Sequence, residues 1–292
     1  MDKLPIDNVM DDPQWRPMLD EIHDHLMYVL QDRLGWQSIS SPEMSLGGGH
    51  VVIRFEKNGA RMVFRVPRHG VQQLKRSMLA YRHLGHLGFM PEKIYHDGKC
   101  ILESHAEGVA LNPTVSDAVL AQLATQLAQM HAVPAQQYGP LDFDLQGSHA
   151  HAAAYYLGRP PITLDRSEAD LTPAQSDVLD AALLQLAAIP ADLITAKTFL
   201  GHGDLWRNNI LVDKDMFTII DWDRIGAYPR EYDLVFLLEA DLSARQRGIF
   251  LEHYGHTVNL GLLKWFAKRR TLLNRGLRLP KMIQKITEID VI

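Results

Sequence analysis

His202, Asp204 and Asn209, followed after a short apolar stretch by Asp221, set out the pattern H-x-D-x-x-x-x-N with a second aspartate one hairpin downstream. Residues of these types in this order suit phosphoryl transfer. That reaction needs a carboxylate to take the proton of an acceptor hydroxyl, and hard oxygen ligands to hold Mg²⁺ against nucleotide phosphates. Asp204 is the candidate base. A tight loop can turn the Asn209 amide oxygen to the far side of the same pocket, so Asn209 and Asp221 are the candidate metal ligands. Residues 209–212 and 217–220 read as two short strands around the polar turn Asp213-Lys214-Asp215, which places Asn209 and Asp221 at neighbouring strand ends. His202 is a candidate catalytic-loop residue that braces the loop through hydrogen bonds, a role close to that of an ordinary core histidine. Arg207 lies inside the loop, where it meets either the reacting groups or solvent.

The stretches HGDLWRNNILV and IIDWD, with the later Pro229-Arg230-Glu231-Tyr232-Asp233-Leu234, resemble the aminoglycoside phosphotransferase and choline or thiamine kinase group of small-molecule kinases. The resemblance extends more weakly over most of the chain. It implies a protein-kinase-like, two-lobed α+β fold with a small antiparallel-sheet N-lobe and a mostly helical C-lobe. Residues 1–106 would be the nucleotide lobe, with a hinge at about 103–108, and residues 107–292 the catalytic and substrate lobe. ATP and Mg²⁺ are the implied cofactors, and a hydroxyl of a small molecule is the implied acceptor. Asp233 resembles the family aspartate that bonds to the backbone of the catalytic loop.

The elements that would position this chemistry are legible in outline. Apolar residues at three- and four-residue spacing predict an amphipathic helix over 14–34. Gly47, Gly48 and Gly49 precede a hairpin centred on Asn58-Gly59, the favoured two-residue turn. That turn sets Glu56 opposite Arg61, Phe55 opposite Met62, Ile53 opposite Phe64 and Val52 opposite Arg65. One face is then a core, while the other carries Val52, Arg54, Glu56, Arg61, Val63 and Arg65. By composition this second face is a cross-strand charge ladder or the roof of a nucleotide cleft. The resemblance favours the roof, with Arg65 as the phosphate cation and the backbone of Gly48 and Gly49 approaching phosphate. An adenine edge needs a backbone acceptor and donor two residues apart on an extended strand. By position relative to Gly108 these are the Ser104 carbonyl and the Ala106 N–H. The family glutamate that pairs with the cation has no counterpart: Ser77 stands there, and no acid occurs between Val66 and Met90. This departure leaves open a catalytically impaired nucleotide-binding pseudokinase or scaffold as the alternative function.

Downstream, Ser116 is a candidate cap for a helix over 116–131. Residues 136–190 read as helical but broken by prolines, and closing helices are expected over 234–252 and 257–272. The basic residues Lys264, Lys268, Arg269, Arg270 and Arg275 read as a solvated face with some dipole benefit at the helix end. Acids outnumber bases, 35 against 30, for a net charge of −5. Asp165, Glu168, Asp170, Glu239 and Asp241 suggest an acidic pocket for a cationic acceptor: an aminoglycoside, a peptide antibiotic or a choline-like alcohol, with antibiotic resistance as the corresponding role. The net charge argues against a nucleic-acid partner. No run of 18 apolar residues and no basic-then-apolar leader points to a membrane, so a cytoplasmic monomer or homodimer is expected. The single cysteine, Cys100, excludes an intrachain disulfide and reads as a strand core residue.

Overall fold

In the computed structural model, residues 16–46, 49–68, 70–157, 162–166, 171–274 and 277–291 are described. The chain divides into two compact units, one running to Glu107 and taking in Thr218–Asp223, the other holding Gly108–Phe217 and the chain from Arg224 onward.

In the first unit the amphipathic spacing yields helix α1 (Arg16–Tyr28), which loosens into a π turn at Val29–Arg33. Strands β1 (Ser40–Leu46), β2 (His50–Lys57), β3 (Ala60–Pro67), β4 (Lys93–His96) and β5 (Ile101–Ser104), with helix α2 (Gln72–Leu84) after β3, complete it. The sheet has the order β1-β2-β3-β5-β4 and its pairs are antiparallel. The expected hairpin register holds throughout: Val52 faces Arg65, Ile53 faces Phe64, Phe55 faces Met62 and Glu56 faces Arg61. Asn58 and Gly59 both take positive φ, as a two-residue turn with the right twist requires. Leu26, Leu30, Val51, Ile53, Phe55 and Phe64 form the core beneath the sheet, with Cys100 buried among them. Between β4 and β5 the Asp97 carboxylate accepts from the backbone N–H of Lys99 and Cys100 at 2.9 and 3.1 Å, which closes the turn.

The second unit begins with the short strand β6 (Val109–Ala110) and helix α3 (Asp117–Met130), where the Ser116 hydroxyl accepts from the Val119 N–H at 3.3 Å as its N-cap. Residues 136–150 depart from the helical expectation. They form β7 (Tyr138–Leu141) and β8 (Gly147–His149), because Gly139 and Pro140 oppose a helix and the two strands bury Tyr138 and Leu141. Helices α4 (Ala152–Leu157), α5 (Pro173–Ala187) and α6 (Ala191–Thr195) follow. Strand β9 (Phe199–Gly201) joins β8, β7 and β12 (Gly226–Tyr228) in a sheet of order β8-β7-β12-β9. Strands β10 (Ile210–Asp213) and β11 (Met216–Ile219) form the expected hairpin around Lys214, which takes φ 53°, and β6 pairs with β10.

The expected 234–252 helix is three pieces: α7 (Arg230–Leu234), α8 (Phe236–Glu239) and α9 (Ala244–Tyr254). Ser243 and Gln246 make a capping box that restarts the helix after Asp241, whose φ is 56°. Helices α10 (Leu260–Leu273) and α11 (Leu279–Val291) close the unit against α5, burying Leu179, Leu272, Ile283 and Ile286 together. The segment Pro173–Thr195 is long and apolar enough to cross a membrane by composition, although it breaks at Ala188–Pro190 between α5 and α6.

Phe64 is fully buried in the first core, so Phe64→Ala is expected to cost about 3–5 kcal/mol, read as a lower urea midpoint of unfolding.

Candidate functional site

The loop that carries Asp204 is held from outside its own sequence. The Asp233 carboxylate, 1 % exposed on helix α7, accepts the backbone N–H of His202 at 2.6 Å through Oδ2 and that of Gly203 at 2.9 Å through Oδ1. The His131 Nε2, at the end of α3, lies 3.2 Å from the same Oδ2, while its Nδ1 faces the Tyr254 hydroxyl at 2.6 Å. Burial alone would raise the Asp233 pKa, but the hydrogen bond and charge of His131, the neighbouring His202 and the Gly203 N–H outweigh it and hold the carboxyl below its ordinary value. Asp233 therefore plays the part expected of it from the sequence.

Two further features shape the loop. Gly203 has φ 79°, and a β-carbon there would stand 2.0 Å from the Arg224 carbonyl oxygen, so only glycine lets β9 turn into the loop against the strand beside it. The fully buried His202 accepts the Asp204 N–H at its Nδ1, 3.2 Å away, which is a bracing contact. Asn209, 7 % exposed, donates its Nδ2 to the Asp204 carbonyl at 2.9 Å. With its nitrogen used in this way, the Asn209 Oδ1 is the atom left to face a cation. Asp204 and Asn209 are thus brought together by a direct bond. Asp221 falls in the other compact unit, two residues after the end of β11, with φ 65°. Its charge is felt by His50 and Arg65.

Asp204 opens on a cavity of about 270 Å³ whose wall includes Trp206, Arg224, Tyr232, Phe266, Arg269 and Arg270. The Arg270 Nη2 and Arg224 Nε lie 3.6 and 3.8 Å from its two carboxylate oxygens. Arg270 also donates to the Leu205 carbonyl at 2.7 Å and sits 3.6 Å from Glu239. Burial, countered in part by Arg270, raises the pKa of Glu239.

Arg207 is placed elsewhere. Its guanidinium, 45 % exposed, pairs with Asp241 at 3.5 Å, while the guanidinium groups that approach the Asp204 carboxylate are those of Arg224 and Arg270. The acidic pocket inferred for a cationic acceptor is also not what surrounds Asp204. Glu239 and Asp241 are each engaged by an arginine, Asp165 is outside the cavity wall among the described residues, and Glu168 and Asp170 lie outside the described residues. An excess of acids over the whole chain does not say where they fold.

The first unit holds a second cluster of buried charge. Arg65, 8 % exposed on β3, has its Nε 2.9 Å from Glu103 Oε1 and its Nη2 3.4 Å from Glu103 Oε2. The Tyr81 hydroxyl donates to the same Glu103 Oε2 at 2.7 Å. Glu103 sits on β5, next to β3, and supplies the acid that helix α2 lacks. Burial would lower the Arg65 pKa, but Glu103 and Asp223 hold it above its ordinary value. Ser77, on α2 where the family glutamate was expected, instead donates to Asp223 Oδ1 at 2.8 Å, and Arg65 Nη1 is 3.5 Å from that oxygen. His50 Nδ1 lies 3.1 Å from the other Asp223 oxygen. Burial, reinforced by the Arg65 charge, pushes His50 down to about 4, so it is neutral at pH 7.

Of the remaining expected nucleotide residues, the Ser104 N–H donates to the Glu92 carbonyl at 2.9 Å at the end of β5, and Ala106 lies two residues beyond that strand, outside any strand. Gly49 is described, and its carbonyl accepts from the Arg68 N–H at 2.8 Å. Gly48 lies outside the described residues.

Sequence reasoning missed the anchoring role of Glu103 and the wall arginines on α10. A signal for the latter was present. Helix α10 has apolar residues on nearly every side, with Leu262, Leu263, Trp265, Phe266, Ala267 and Leu272 all buried, so it offers little solvated face on which its cations could lie; Arg275 lies outside the described residues.

A model of the phosphotransferase enzyme family matches residues 46–267. No curated protein sequence matches the chain. Among solved structures, the fold is similar to that of an aminoglycoside 2'-phosphotransferase-IIIa in its GDP complex, at 19 % identity and a TM-score of 0.62 over 93 % of this chain and 99 % of that one. Choline kinase LicA from Streptococcus pneumoniae gives 14 % identity and a TM-score of 0.61 over 94 % and 100 %. Aminoglycoside phosphotransferase APH(4)-Ia gives 18 % identity and 0.59 over 93 % and 97 %.

The His50 site has a consequence for stability. Between pH 6.5 and about 4 the unfolded chain binds a proton at His50 that the folded chain refuses, so folding stability falls as pH drops through that window. The expected loss is on the order of 2 kcal/mol. Urea unfolding from pH 7 to pH 4 should show it, and His50→Gln should flatten the profile.

Proposed function

Because the chain belongs to the phosphotransferase enzyme family, and has the protein-kinase-like fold of its structural relatives, we propose that it transfers the γ-phosphoryl group of ATP to a hydroxyl of a small molecule, with Asp204 as general base. The observation that carries the reading is the clamped loop. Asp233 fixes the backbone on the N-terminal side of Asp204, Asn209 fixes its carbonyl, and its carboxylate is left facing a cavity large enough for a small acceptor. Asp204 takes the proton of the acceptor hydroxyl. The acceptor oxygen forms a bond to the γ-phosphorus as the bond from that phosphorus to the β–γ bridging oxygen breaks, and ADP leaves with that electron pair.

A magnesium ion fits the donor set. An amide oxygen and a carboxylate are hard ligands, and the hydrogen bond from the Asn209 Nδ2 to the Asp204 carbonyl leaves the amide oxygen for a cation. Asn209 and Asp221 would hold the ion, which when bound neutralises phosphate charge. Arg65, kept charged and oriented by Glu103, is the phosphate cation, with the Gly48-Gly49 backbone as its companion. The Ser104 carbonyl and the Ala106 N–H hold the adenine edge. His202 orients Asp204 through its backbone. Nucleotide use is supported by the GDP complex of one structural relative.

The pseudokinase alternative drew its force from Ser77. Its ground weakens, because the cation it supposed unanchored is ion-paired with Glu103.

Asp204→Ala is expected to lower kcat by about 10² to 10⁴ while keeping nucleotide binding. The controls are a thermal-shift titration with ATP and Mg²⁺, where ligand at 100 times its Kd adds about 2.7 kcal/mol, and a coupled assay of ADP release. Unchanged turnover in Asp204→Ala, or no stabilisation by any nucleotide, would overturn the proposal.

A further inference from the structure

The cavity beside Asp204 is cationic. Three guanidinium groups stand in its wall against a single carboxylate, that of Asp204, among the described residues. Two of the three have acids to answer them. Arg270 lies within 3.6 Å of both Asp204 and Glu239, and Arg224 lies 3.8 Å from Asp204. The third does not: Arg269 lies with its guanidinium over the Tyr156 ring, 4.7 Å from the centroid, and has no ion pair among the described residues. A ring face orients a guanidinium without neutralising it. The remainder of the wall is largely Trp206, Tyr232, Val235, Phe266 and Leu273, which lowers the local dielectric and strengthens whatever charge the arginines meet. An ammonium group entering here would face three like charges.

We propose that the acceptor is a small hydroxy compound carrying an anionic group, a carboxylate or a phosphate, which Arg269 binds while the hydroxyl faces Asp204. Arginine suits either anion, because its planar fork matches both in a bidentate contact. Arg224 and Arg270 then have a separate duty, flanking the two oxygens of the base. The assignment rests on the phosphotransfer reading for its chemistry but concerns only the character of the pocket, which can be measured without nucleotide.

The full chain is titrated calorimetrically, in the absence of ATP, with four ligands on one scaffold: glucose, glucosamine, glucuronate and glucose 6-phosphate. Glucuronate or glucose 6-phosphate is expected to bind roughly tenfold or more tightly than glucose, with glucosamine weakest, and to weaken as salt rises. The two anions distinguish a carboxylate from a phosphate. Arg269→Met, which keeps cover over Tyr156, should remove the tenfold preference, and Arg269→Lys should restore part of it. Equal unfolding midpoints for the two variants exclude a folding defect.

Binding of glucosamine as tight as that of the anions, an anion affinity no greater than that of glucose, or a preference that survives in Arg269→Met would each overturn the assignment. The two proposals fail separately. ATP turnover stimulated only by amines sinks the anionic acceptor and leaves the kinase reading standing, whereas anion binding without any nucleotide binding does the reverse.

Discussion

The Asp233 carboxylate is the point on which the second unit's chemistry turns. It is almost wholly buried, accepts two successive backbone N–H groups and faces a histidine. A carboxylate removed from water is tolerated only when its oxygens are so satisfied. The consequence is geometric: His202 and Gly203 are fixed to helix α7, and Asp204, next in the chain, inherits that position. Gly203 takes its left-handed conformation against the Arg224 carbonyl, so the strand β12 side of the loop is fixed as well. A carboxylate whose direction is set by the fold need not be ordered when a ligand arrives.

The first unit solves a related problem by other means. A buried guanidinium must be paired, and the usual partner on the following helix is replaced here by Glu103 on the adjacent strand. The substitution is coherent as packing. Strands β3 and β5 are hydrogen-bonded neighbours, with Val63 opposite Glu103 and Arg65 opposite Ile101, so a long acid on one reaches a long base on the other. Helix α2, relieved of that duty, contributes the small Ser77 hydroxyl to Asp223 and the Tyr81 hydroxyl to Glu103. With His50 neutral against Asp223, the cluster is a connected polar network in which partners support one another.

Local rules were readable where local physics dominates. The Asn58-Gly59 turn set the β2–β3 register residue by residue, because a one-position slip would have turned Ile53 and Phe64 out of the core. Ser116 capped α3, and the strands around Lys214 lay as the polar turn between them implied. Reading failed where the deciding partner is far along the chain. Tyr138–Leu141 is a strand because β12, some ninety residues later, pairs with it. Charge failed for the same reason: the chain is acidic as a whole, yet the wall beside Asp204 is rich in arginine.

The order of residue types in HGDLWRNNILV and IIDWD pointed to the phosphotransferase class, since phosphoryl transfer needs particular functional groups at spacings that short loops and hairpins preserve. Which side chains stand around those groups was decided by tertiary structure alone. Glu103 meets Arg65 by sheet pairing across 38 positions, and Arg269 and Arg270 reach the cavity of Asp204 because α10 packs there. Such contacts are long-range in sequence, and no periodicity or motif encodes a distance between elements that only packing brings together.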